Sequence, residues 1–177
     1  LSPGTLSLER HRQMWLYLQN ETNFFTHKLK VLHIAPEQEF LRKFKKMKNL
    51  EYTSADLFSP IVDVKADIVD LPFEDNSFDV IICNHVLEHI VDDRKAMSEL
   101  YRVMKSGGWG IVQVPMKNSL EKTYEDFTIT DPKERQKHFG QYDHVRWYGM
   151  DYFDRLKSVG FDADINFYSQ KFSEACL

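Results

Sequence analysis

The 177-residue sequence is poor in cysteine and in long apolar runs, and both absences exclude classes of protein. Its two cysteines, Cys83 and Cys176, are too few for a disulfide framework, so we expect a reduced, cytoplasmic setting. No apolar run approaches the roughly 18 residues of a membrane-spanning helix, and no charged-then-apolar leader opens the sequence. A membrane partner is therefore not expected. The numbering begins at Leu1 rather than at a methionine, which leaves open what precedes it.

An excess of basic charge and a glycine-rich nucleotide fingerprint are also absent. The formal net charge is −4, from 23 basic and 27 acidic residues, so nucleic acid is not an expected partner. No G-x-G-x-x-G pattern occurs among the seven glycines, which argues against a nicotinamide-dependent oxidoreductase. A composition that is 42% hydrophobic and 28% charged suits one globular domain over residues 1–177, and it predicts no particular oligomeric state.

Strand and helix patterns alternate along the chain. Short β-branched runs predict six strands, over residues 30–35, 50–55, 62–68, 78–83, 109–114 and 161–168. Helical spacing of apolar residues predicts four helices, over residues 7–20, 37–47, from 92 or 93 to the glycines at 107 and 108, and 149–158. This alternation predicts an α/β fold, a doubly wound and mostly parallel sheet with helices on both faces.

The stretch from residue 66 to residue 89 carries the strongest functional signal. Asp67 ends a short predicted strand, and a polar loop then leads into the apolar run 78–83. Such a run, with turn signals before it, is typical of a strand buried on both faces. It ends in the polar residues Asn84 and His85. In open parallel α/β sheets, ligands bind at the carboxyl ends of the strands, so we expect a ligand there.

From about residue 30 to residue 168, the sequence resembles the class I S-adenosylmethionine-dependent methyltransferases. It is similar to a type 11-like branch in which an HxAPE-type loop, here residues 33–37, replaces the usual glycine-rich loop, and in which residues 7–12 (SLERHR) lie upstream. The resemblance implies the Rossmann-like fold of that family. The family usually adds a seventh, antiparallel strand. Residues 171–177 are short and polar, so this strand is expected to be missing.

The resemblance also implies S-adenosylmethionine as the cofactor and assigns residues to it. The loop after the first strand wraps the methionine end of the cofactor, and an acidic residue after the second strand accepts hydrogen bonds from the ribose. The third strand leads to the adenine site, and the tip of the fourth strand meets the methionine amino group. The positions that match are His33, Ala35, Pro36, Glu37, Asp56, Leu57, Asp67, Ile68 and Asn84.

A competing motif lies in residues 85–89, HVLEH, which match the inverted zinc-peptidase pattern H-x-x-E-H. A zinc site there would need a further ligand and an open coordination position. The motif follows the predicted strand almost directly, and the family shows the same pattern without metal. We therefore expect no metal. His85 is expected to touch the cofactor pocket, while Glu88 and His89 cap or pair locally.

The remaining segments are assigned by their place around the cofactor-binding half, residues 30–115. Residues 116–148 form a long insertion between a strand and a helix, which is typical of a functional lid. Residues 149–177 supply the last helix and strand. Residues 1–29 contain the first helix, which either folds over the cofactor as a lid or packs on the sheet.

The insertion supplies the candidate acceptor residues. Transfer of a methyl group to a hydroxyl or an amine requires a base, and His144 is the first candidate because its ordinary pKa lies near neutrality. His85 and Asp143 follow it. The structural alternative for His144 is a packing histidine paired with Asp143. Tyr124 and Arg146 are expected to line the acceptor pocket.

The function that these patterns predict is transfer of a methyl group to an unidentified small-molecule acceptor. The mixed polar and aromatic character of the insertion favours a small polar acceptor over a lipid or a nucleic acid. The alternative is a non-catalytic module that binds S-adenosylmethionine or S-adenosylhomocysteine, because the cofactor residues form a fuller pattern than the acceptor residues.

Overall fold

Five parallel strands form the central sheet of the computed structural model, which describes residues 9–166 and residue 168. Their order across the sheet is β3-β2-β1-β4-β5, so the direction of winding reverses between β1 and β4. A crevice opens at such a reversal, at the carboxyl ends of the strands. The strands are β1 (Leu29–Ile34), β2 (Leu50–Asp56), β3 (Val64–Lys65), β4 (Phe78–Asn84) and β5 (Met104–Gln113).

Five helices, a short 3-10 turn and a two-stranded antiparallel sheet complete the described chain. The 3-10 turn follows β4 closely, and the small sheet lies within the insertion. The helices are α1 (Glu9–Glu21), α2 (Gln38–Phe44), α3 (Asp93–Val103), α4 (Pro132–Phe139) and α5 (Tyr152–Ser158); the turn is Leu87–His89, and the small sheet pairs β6 (Tyr124–Glu125) with β7 (Arg146–Trp147). No helix in this part of the chain is long and apolar enough to cross a membrane.

Apolar side chains cover both faces of the sheet, as the sequence predicts. On one face α1 and α2 pack against β1 and β4, and the rings of Trp15, Phe40 and Phe44 stack there. On the other face α3 and α5 pack against the same strands through Met97 and Leu156. The predicted α/β fold with helices on both faces is therefore confirmed. The first helix packs on the sheet, which is the second of its two predicted roles.

The end of α3 differs from the prediction. Gly107 and Gly108 were expected to end this helix, but it ends at Val103 and β5 begins at the next residue. Gly107 has a φ of 77°, and a Cβ atom at Gly108 would lie 2.9 Å from the Asp79 carbonyl oxygen. The two glycines therefore allow β5 to pass the register shift in its pairing with β4. The strand predicted over residues 109–114 therefore starts five residues later than β5, which begins at Met104.

The third strand is shorter than predicted. Residues 62–68 were expected to be extended, but only two of them pair with β2. Asp63 accepts a hydrogen bond from the Ser54 backbone N–H (2.9 Å), and Asp67 accepts one from the Val69 N–H (3.1 Å). The Asp63 bond joins this segment to β2, whereas the Asp67 bond is made to a backbone group two residues on and favours a turn over a strand.

The predicted sixth strand does not form within the described residues 161–166, which have no regular secondary structure. The Asp164 side chain accepts a hydrogen bond from the next backbone N–H, that of Ile165 (2.7 Å), so that donor is not available to a strand ladder. Phe167 and residues 169–177 lie outside the described residues, as do residues 1–8. The expectation for residues 171–177 falls there, and so does that for residues 7 and 8 of the segment 7–12, whereas residues 9–12 begin α1.

The remaining helix boundaries shift by a few residues, and the insertion holds one helix that was not predicted. The predicted helices 37–47 and 149–158 form as the shorter α2 and α5. The unpredicted helix, α4, begins after Asp131, which accepts hydrogen bonds from two backbone N–H groups, and it ends at Gly140 with a φ of 85°. The Asp-Pro start and the glycine end are both readable in the sequence.

Candidate functional site

The chain bends in the same way after β1 and after β4. Ala35, directly after β1, has a φ of 45°, and His85, directly after β4, has a φ of 55°. The two bends are adjacent because β1 pairs with β4, with Ile34 opposite Cys83. Left-handed backbone normally favours glycine, but alanine has the smallest side chain of the other residues. The loop over residues 33–37 therefore makes its turn without a glycine.

The β1 bend brings Glu37 between two histidines. His33 is fully buried, its Nδ1 lies 2.9 Å from the Tyr52 hydroxyl, and its Nε2 lies 3.5 Å from Glu37 Oε2. His11 on α1 lies on the other side, with its Nε2 3.9 Å from Glu37 Oε1. Burial lowers the pKa of His33, so its ring is neutral near pH 7. Pro36 lies in the turn itself, between Ala35 and Glu37.

Asn84, at the tip of β4, offers a buried acceptor at this edge. Its side chain is 5% exposed, and its Nδ2 donates a hydrogen bond to Met14 Sδ on α1 (3.1 Å). Its Oδ1 is buried without a hydrogen-bond partner, as is Glu37 Oε2. Unsatisfied buried acceptors are costly unless a ligand supplies the donor. A donor such as the ammonium group of S-adenosylmethionine fits these atoms.

Asp56 and Leu57 lie at the carboxyl end of β2, beside the β1 bend. Asp56 Oδ1 accepts hydrogen bonds from the backbone N–H groups of Phe58 (2.7 Å) and Ser59 (2.6 Å). Oδ1 therefore shapes the turn, and Oδ2 is the oxygen that would meet a ribose. Leu57 is exposed next to it.

Asp67 and Ile68 follow β3, farther along the same edge. The Asp67 side chain is exposed, and its Oδ1 serves the local turn. Ile68 is buried within the core on the α3 face of the sheet. The structure therefore brings the nine predicted cofactor residues to one edge, with Asp67 and Ile68 at its far end.

A second group of polar side chains surrounds the turn after β4. His85 Nδ1 lies 3.4 Å from Glu88 Oε1, and His89 Nδ1 lies 3.4 Å from Asp143 Oδ2. His144 packs its ring against that of His89, with the ring centroids 4.8 Å apart. These five residues, His85, Glu88, His89, Asp143 and His144, are called the histidine cluster below. Glu88 pairs locally with His85, as expected, whereas His89 pairs with Asp143 of the insertion.

His144 is buried, but it is not paired with Asp143 as the structural alternative predicted. Its side chain is buried, its Nδ1 has no hydrogen-bond partner, and Asp143 contacts His89 instead of His144. Burial lowers the pKa of His144, and the nearby His89 lowers it further, so the ring is neutral near pH 7. A neutral ring with an unpaired nitrogen has the chemistry of a base.

Arg146 does not serve the acceptor in the way predicted. It is fully buried, and its Nε donates to Glu125 Oε2 (2.9 Å). Its Nη1 donates to the carbonyls of Leu87 (2.9 Å) and Ile90, and its Nη2 donates to that of Val91 (2.9 Å). The guanidinium thus holds the backbone of the turn after β4, and the substrate assignment is corrected to this structural role.

Tyr124 lies on the surface of the insertion. Its hydroxyl is 2.9 Å from His138 Nδ1, and its ring packs against Phe139 at the end of α4. The side chain is 40% exposed, so it is available to a ligand.

A cleft of about 660 Å³ opens beside the carboxyl ends of β4 and β5. Of the predicted site residues, His85 lines it. The first helix forms one wall, and the opposite wall combines the end of β5 with α5 and the segment that follows it. The lining residues are Arg10, Gln13, Met14, Tyr17, His85, Gly110, Ile111, Val112, Gln113, Val114, Met116, Tyr152, Phe153, Asp164, Ile165, Asn166 and Tyr168.

Sequence reasoning missed the contributions of Met14, Glu88 and Tyr152. Met14 falls within the predicted first helix, but nothing in the sequence indicates its hydrogen bond with Asn84. Tyr152 lines the cleft and donates a hydrogen bond to the Val112 carbonyl (3.0 Å). Glu88 was noticed in the H-x-x-E-H pattern, which was set aside as metal-free.

Known proteins resemble this chain in sequence and in fold. The ubiquinone/menaquinone biosynthesis C-methyltransferase UbiE of an Enterobacter species is 33% identical over 95 residues, which cover 52% of this chain and 34% of that protein. The chain thus spans about a third of the length of this relative.

Two solved structures share the fold. One is the 1,6-didemethyltoxoflavin-N1-methyltransferase of Burkholderia thailandensis, solved with bound 1,6-didemethyltoxoflavin and S-adenosylhomocysteine (TM-score 0.58, 13% identity, 85% of this chain and 65% of that chain). The other is the [4+2]-cyclase SpnF (TM-score 0.60, 18% identity, 89% and 59%). At these identities the likeness concerns the fold alone.

The family is set by a broader match. The model of a methyltransferase domain family matches residues 18–112, which is more than half of the chain. The match covers α2, the first four strands and the turn after β4. This region includes both buried acceptors, Glu37 Oε2 and Asn84 Oδ1. The family resemblance seen in the sequence is confirmed, whereas the HxAPE branch stays a prediction. The chain belongs to the methyltransferase domain family, whose cofactor is S-adenosylmethionine.

Proposed function

We propose that this domain transfers the methyl group of S-adenosylmethionine to a small-molecule acceptor. The observation that carries the proposal is the pair of unsatisfied buried acceptors, Asn84 Oδ1 and Glu37 Oε2, at the crevice of a methyltransferase-family sheet. When bound, S-adenosylmethionine supplies a methyl group already activated on a sulfonium sulfur. The residues of the chain then need to bind, align and exclude water.

The nine predicted cofactor residues are assigned by their places along the edge. Asn84 and the 33–37 loop would hold the methionine end, because their free acceptors suit an ammonium group. Asp56 would bind the ribose through Oδ2, with Leu57 beside it. Asp67 and Ile68 are proposed to bind the adenine. Because the Ile68 side chain is buried, it would contact the adenine ring from the core side.

The histidine cluster is proposed as the acceptor end of the site. His85 joins the cluster to the cleft, because it lines the cleft and contacts Glu88. His144 is the proposed base, and its role rests on the neutral imidazole that burial favours near pH 7. His85 and Asp143 are proposed as further polar groups of the acceptor end, with His85 at the cleft and Asp143 against His89. Tyr124 is proposed to contact the acceptor from the insertion.

A small molecule is the acceptor class that the site favours. The cleft volume of about 660 Å³ lies within the range of about 300–1,000 Å³ that is usual for small-ligand sites. The net charge of −4 provides no general attraction for nucleic acid or for an anionic membrane. Cys83 is a buried free thiol whose pKa is raised by burial, which supports the proposed reducing, cytoplasmic location.

The second candidate is a module that binds the cofactor or its demethylated product without transferring the methyl group. One observation favours keeping it: the fold is shared with a protein named as a cyclase. Both candidate functions require the cofactor end, whereas only methyl transfer requires the acceptor end.

Two measurements on the full chain separate these functions. Calorimetric titration with S-adenosylmethionine should show binding, whereas a reduced nicotinamide nucleotide should show none. Incubation with methyl-labelled cofactor and pools of small molecules should then give a labelled product. Binding without any labelled product would favour the module, and an absence of binding would overturn both candidates.

A further inference from the structure

Three side chains of the histidine cluster form a potential metal site. Glu88, His89 and His144 each offer one ligand atom, and these atoms lie within 4.8 Å of one another. Glu88 is 1% exposed and His144 is 7% exposed, so two of the three ligands are withdrawn from water. No metal is expected from the sequence, because the H-x-x-E-H motif shows no further ligand from another segment. The fold supplies that ligand from the insertion, 55 residues after His89.

Unpaired atoms provide the second, independent observation. Glu88 Oε2 and His144 Nδ1 are both buried without a hydrogen-bond partner. Glu88 Oε1 has His85 Nδ1 at 3.4 Å, which is beyond ordinary hydrogen-bond length. A buried carboxylate oxygen and a buried imidazole nitrogen that both lack donors are costly to leave empty, and a cation satisfies both at once.

We infer that Glu88, His89 and His144 bind one divalent transition-metal ion at the carboxyl end of β4. Two imidazoles and one carboxylate suit borderline ions such as Zn²⁺, and three protein ligands leave a coordination position open. Ligand atoms at about 2.0–2.2 Å from a tetrahedral ion lie about 3.3–3.6 Å from one another, so the widest pair in the cluster needs to close by at most about 1.5 Å. Side-chain rotation about one or two bonds provides such a movement.

The ligands are supported by groups around them, as metal ligands in proteins usually are. The His89 Nδ1 contacts Asp143, which leaves Nε2 for the ion. The backbone carbonyl of Glu88 accepts a hydrogen bond from the Val145 N–H (2.9 Å), which ties the two ligand-bearing segments together. Arg146 fixes the turn that carries Glu88 and His89 through its carbonyls.

The open position indicates the class of acceptor. His85 contacts Glu88 and lines the cleft, so the ion would lie next to the space proposed for the acceptor. Hard oxygen ligands suit such an ion, and an ion-bound hydroxyl loses its proton more readily than a free one. A hydroxyl-bearing acceptor is therefore favoured. With the ion bound, His144 Nδ1 is a ligand and cannot also accept a proton, so the ion would replace the His144 base by making the acceptor hydroxyl more acidic, and the proton would pass to water. This step rests on the proposed function, whereas the binding of the ion does not.

Co²⁺ provides a direct test, because it takes zinc sites and absorbs visible light. The full-length chain, first stripped with a chelator, is dialysed against Co²⁺ without cofactor, and bound cobalt and the visible spectrum are measured. We expect about one Co²⁺ per chain. His89→Ala, His144→Ala and the isosteric Glu88→Gln should each weaken binding by at least about 10–100-fold. His27→Ala, at an exposed histidine far along the chain, should bind as the wild type does.

The outcomes separate this inference from the proposed function. Failure of the wild-type chain to bind Co²⁺ and Zn²⁺, or equal binding by the Glu88→Gln and wild-type chains, overturns the metal site. Circular dichroism of Glu88→Gln shows whether the variant is folded, so a loss of binding in a folded variant supports the site. Titration with S-adenosylmethionine is run on the same metal-free samples. Cofactor binding without metal binding leaves the proposed function in place, and the reverse removes that function while the metal site stands.

Discussion

The bends after β1 and after β4 have nearly the same backbone conformation, but different parts of the molecule hold them. After Ala35, α2 begins within three residues and packs its rings on the sheet nearby. After His85, only a 3-10 turn follows, and Arg146 binds its carbonyls from more than 50 residues away. The first bend is supported locally, and the second depends on the folding of the insertion.

This difference separates the two ends of the proposed site. The cofactor end should survive damage to the insertion, because its residues follow consecutive strands of the sheet. The acceptor end should be lost with the insertion, because His144 and Arg146 belong to it. Each substitution below tests one side of that division.

The largest effect is expected at the proposed base. His144→Ala should lower the turnover of labelled methyl transfer by about 10²–10⁴-fold, the usual contribution of a positioned base or acid. Cofactor affinity should stay unchanged, because His144 lies away from the cofactor edge. Steady-state kinetics and calorimetry measure the two quantities, with His27→Ala as the matched control. Wild-type turnover in the variant would remove His144 from the chemistry.

The next effect concerns the support of the second bend. Arg146→Met should lower the free energy of unfolding by about 3–5 kcal/mol, because Glu125 and three carbonyls lose a buried charged partner. Denaturant unfolding measures the loss. The control is Arg42→Met on the exposed surface of α2, where the expected change is below about 0.5 kcal/mol. Equal losses in the two variants would contradict the role of Arg146 in holding the turn after β4.

A smaller effect is expected at the ribose position of the cofactor end. Asp56→Ala should weaken S-adenosylmethionine binding by about 1–3 kcal/mol, the typical loss of a charged hydrogen-bond partner. Asp126→Ala removes a similar turn hydrogen bond, which the Thr128 N–H donates to Asp126 Oδ1 (2.9 Å), without touching the sheet edge. An unchanged dissociation constant for Asp56→Ala would take Asp56 out of the cofactor site.

The smallest effect depends on pH. Burial raises the pKa of Glu125, but hydrogen bonds from Arg155 and Arg146 outweigh burial and hold it below its ordinary value of 4.5. The stability that Glu125 contributes is therefore present above pH 4.5 and is lost as the pH falls through the lower folded-state pKa. Glu125→Gln should cost about 1–2 kcal/mol at pH 7, and the difference from wild type should shrink at pH 3.

Urea unfolding at both pH values measures this difference. Glu121→Gln, at an exposed glutamate four residues earlier, serves as the control and should show little change at either pH. If the loss of unfolding free energy in Glu125→Gln is as large at pH 3 as at pH 7, then packing of Glu125, and not its charge, supports Arg146 and Arg155.

The same division explains what could be predicted from the sequence. Asn84 was placed at the tip of a buried strand because β-branched runs and polar ends are local patterns. The role of Arg146 could not be predicted, because its partners are carbonyls that carry no side-chain signal and lie far away in sequence. The approach of His144 to Glu88 and His89 was missed for the same reason.

Local sequence patterns also gave wrong predictions where the same pattern fits two different structures. Gly107 and Gly108 fit a helix end as well as they fit an irregular strand, and only the neighbouring β4 decides between them. The aspartates at 67 and 164 were counted within strands, although their side chains bond backbone groups one or two residues away and favour turns. The start of α4 was a readable signal that was overlooked.

The contacts of α1 with the cofactor edge have a consequence for how the chain responds to its ligand. Met14 accepts the hydrogen bond of Asn84, and His11 lies beside Glu37, so the docking of α1 and the binding of cofactor involve the same side chains. Two equilibria that share groups are thermodynamically linked, and each changes the other by the same free energy. Hydrogen exchange in residues 9–21 should therefore change when S-adenosylmethionine is added, whereas exchange in α4 should not. The first helix would then report occupancy of the cofactor edge on which it packs.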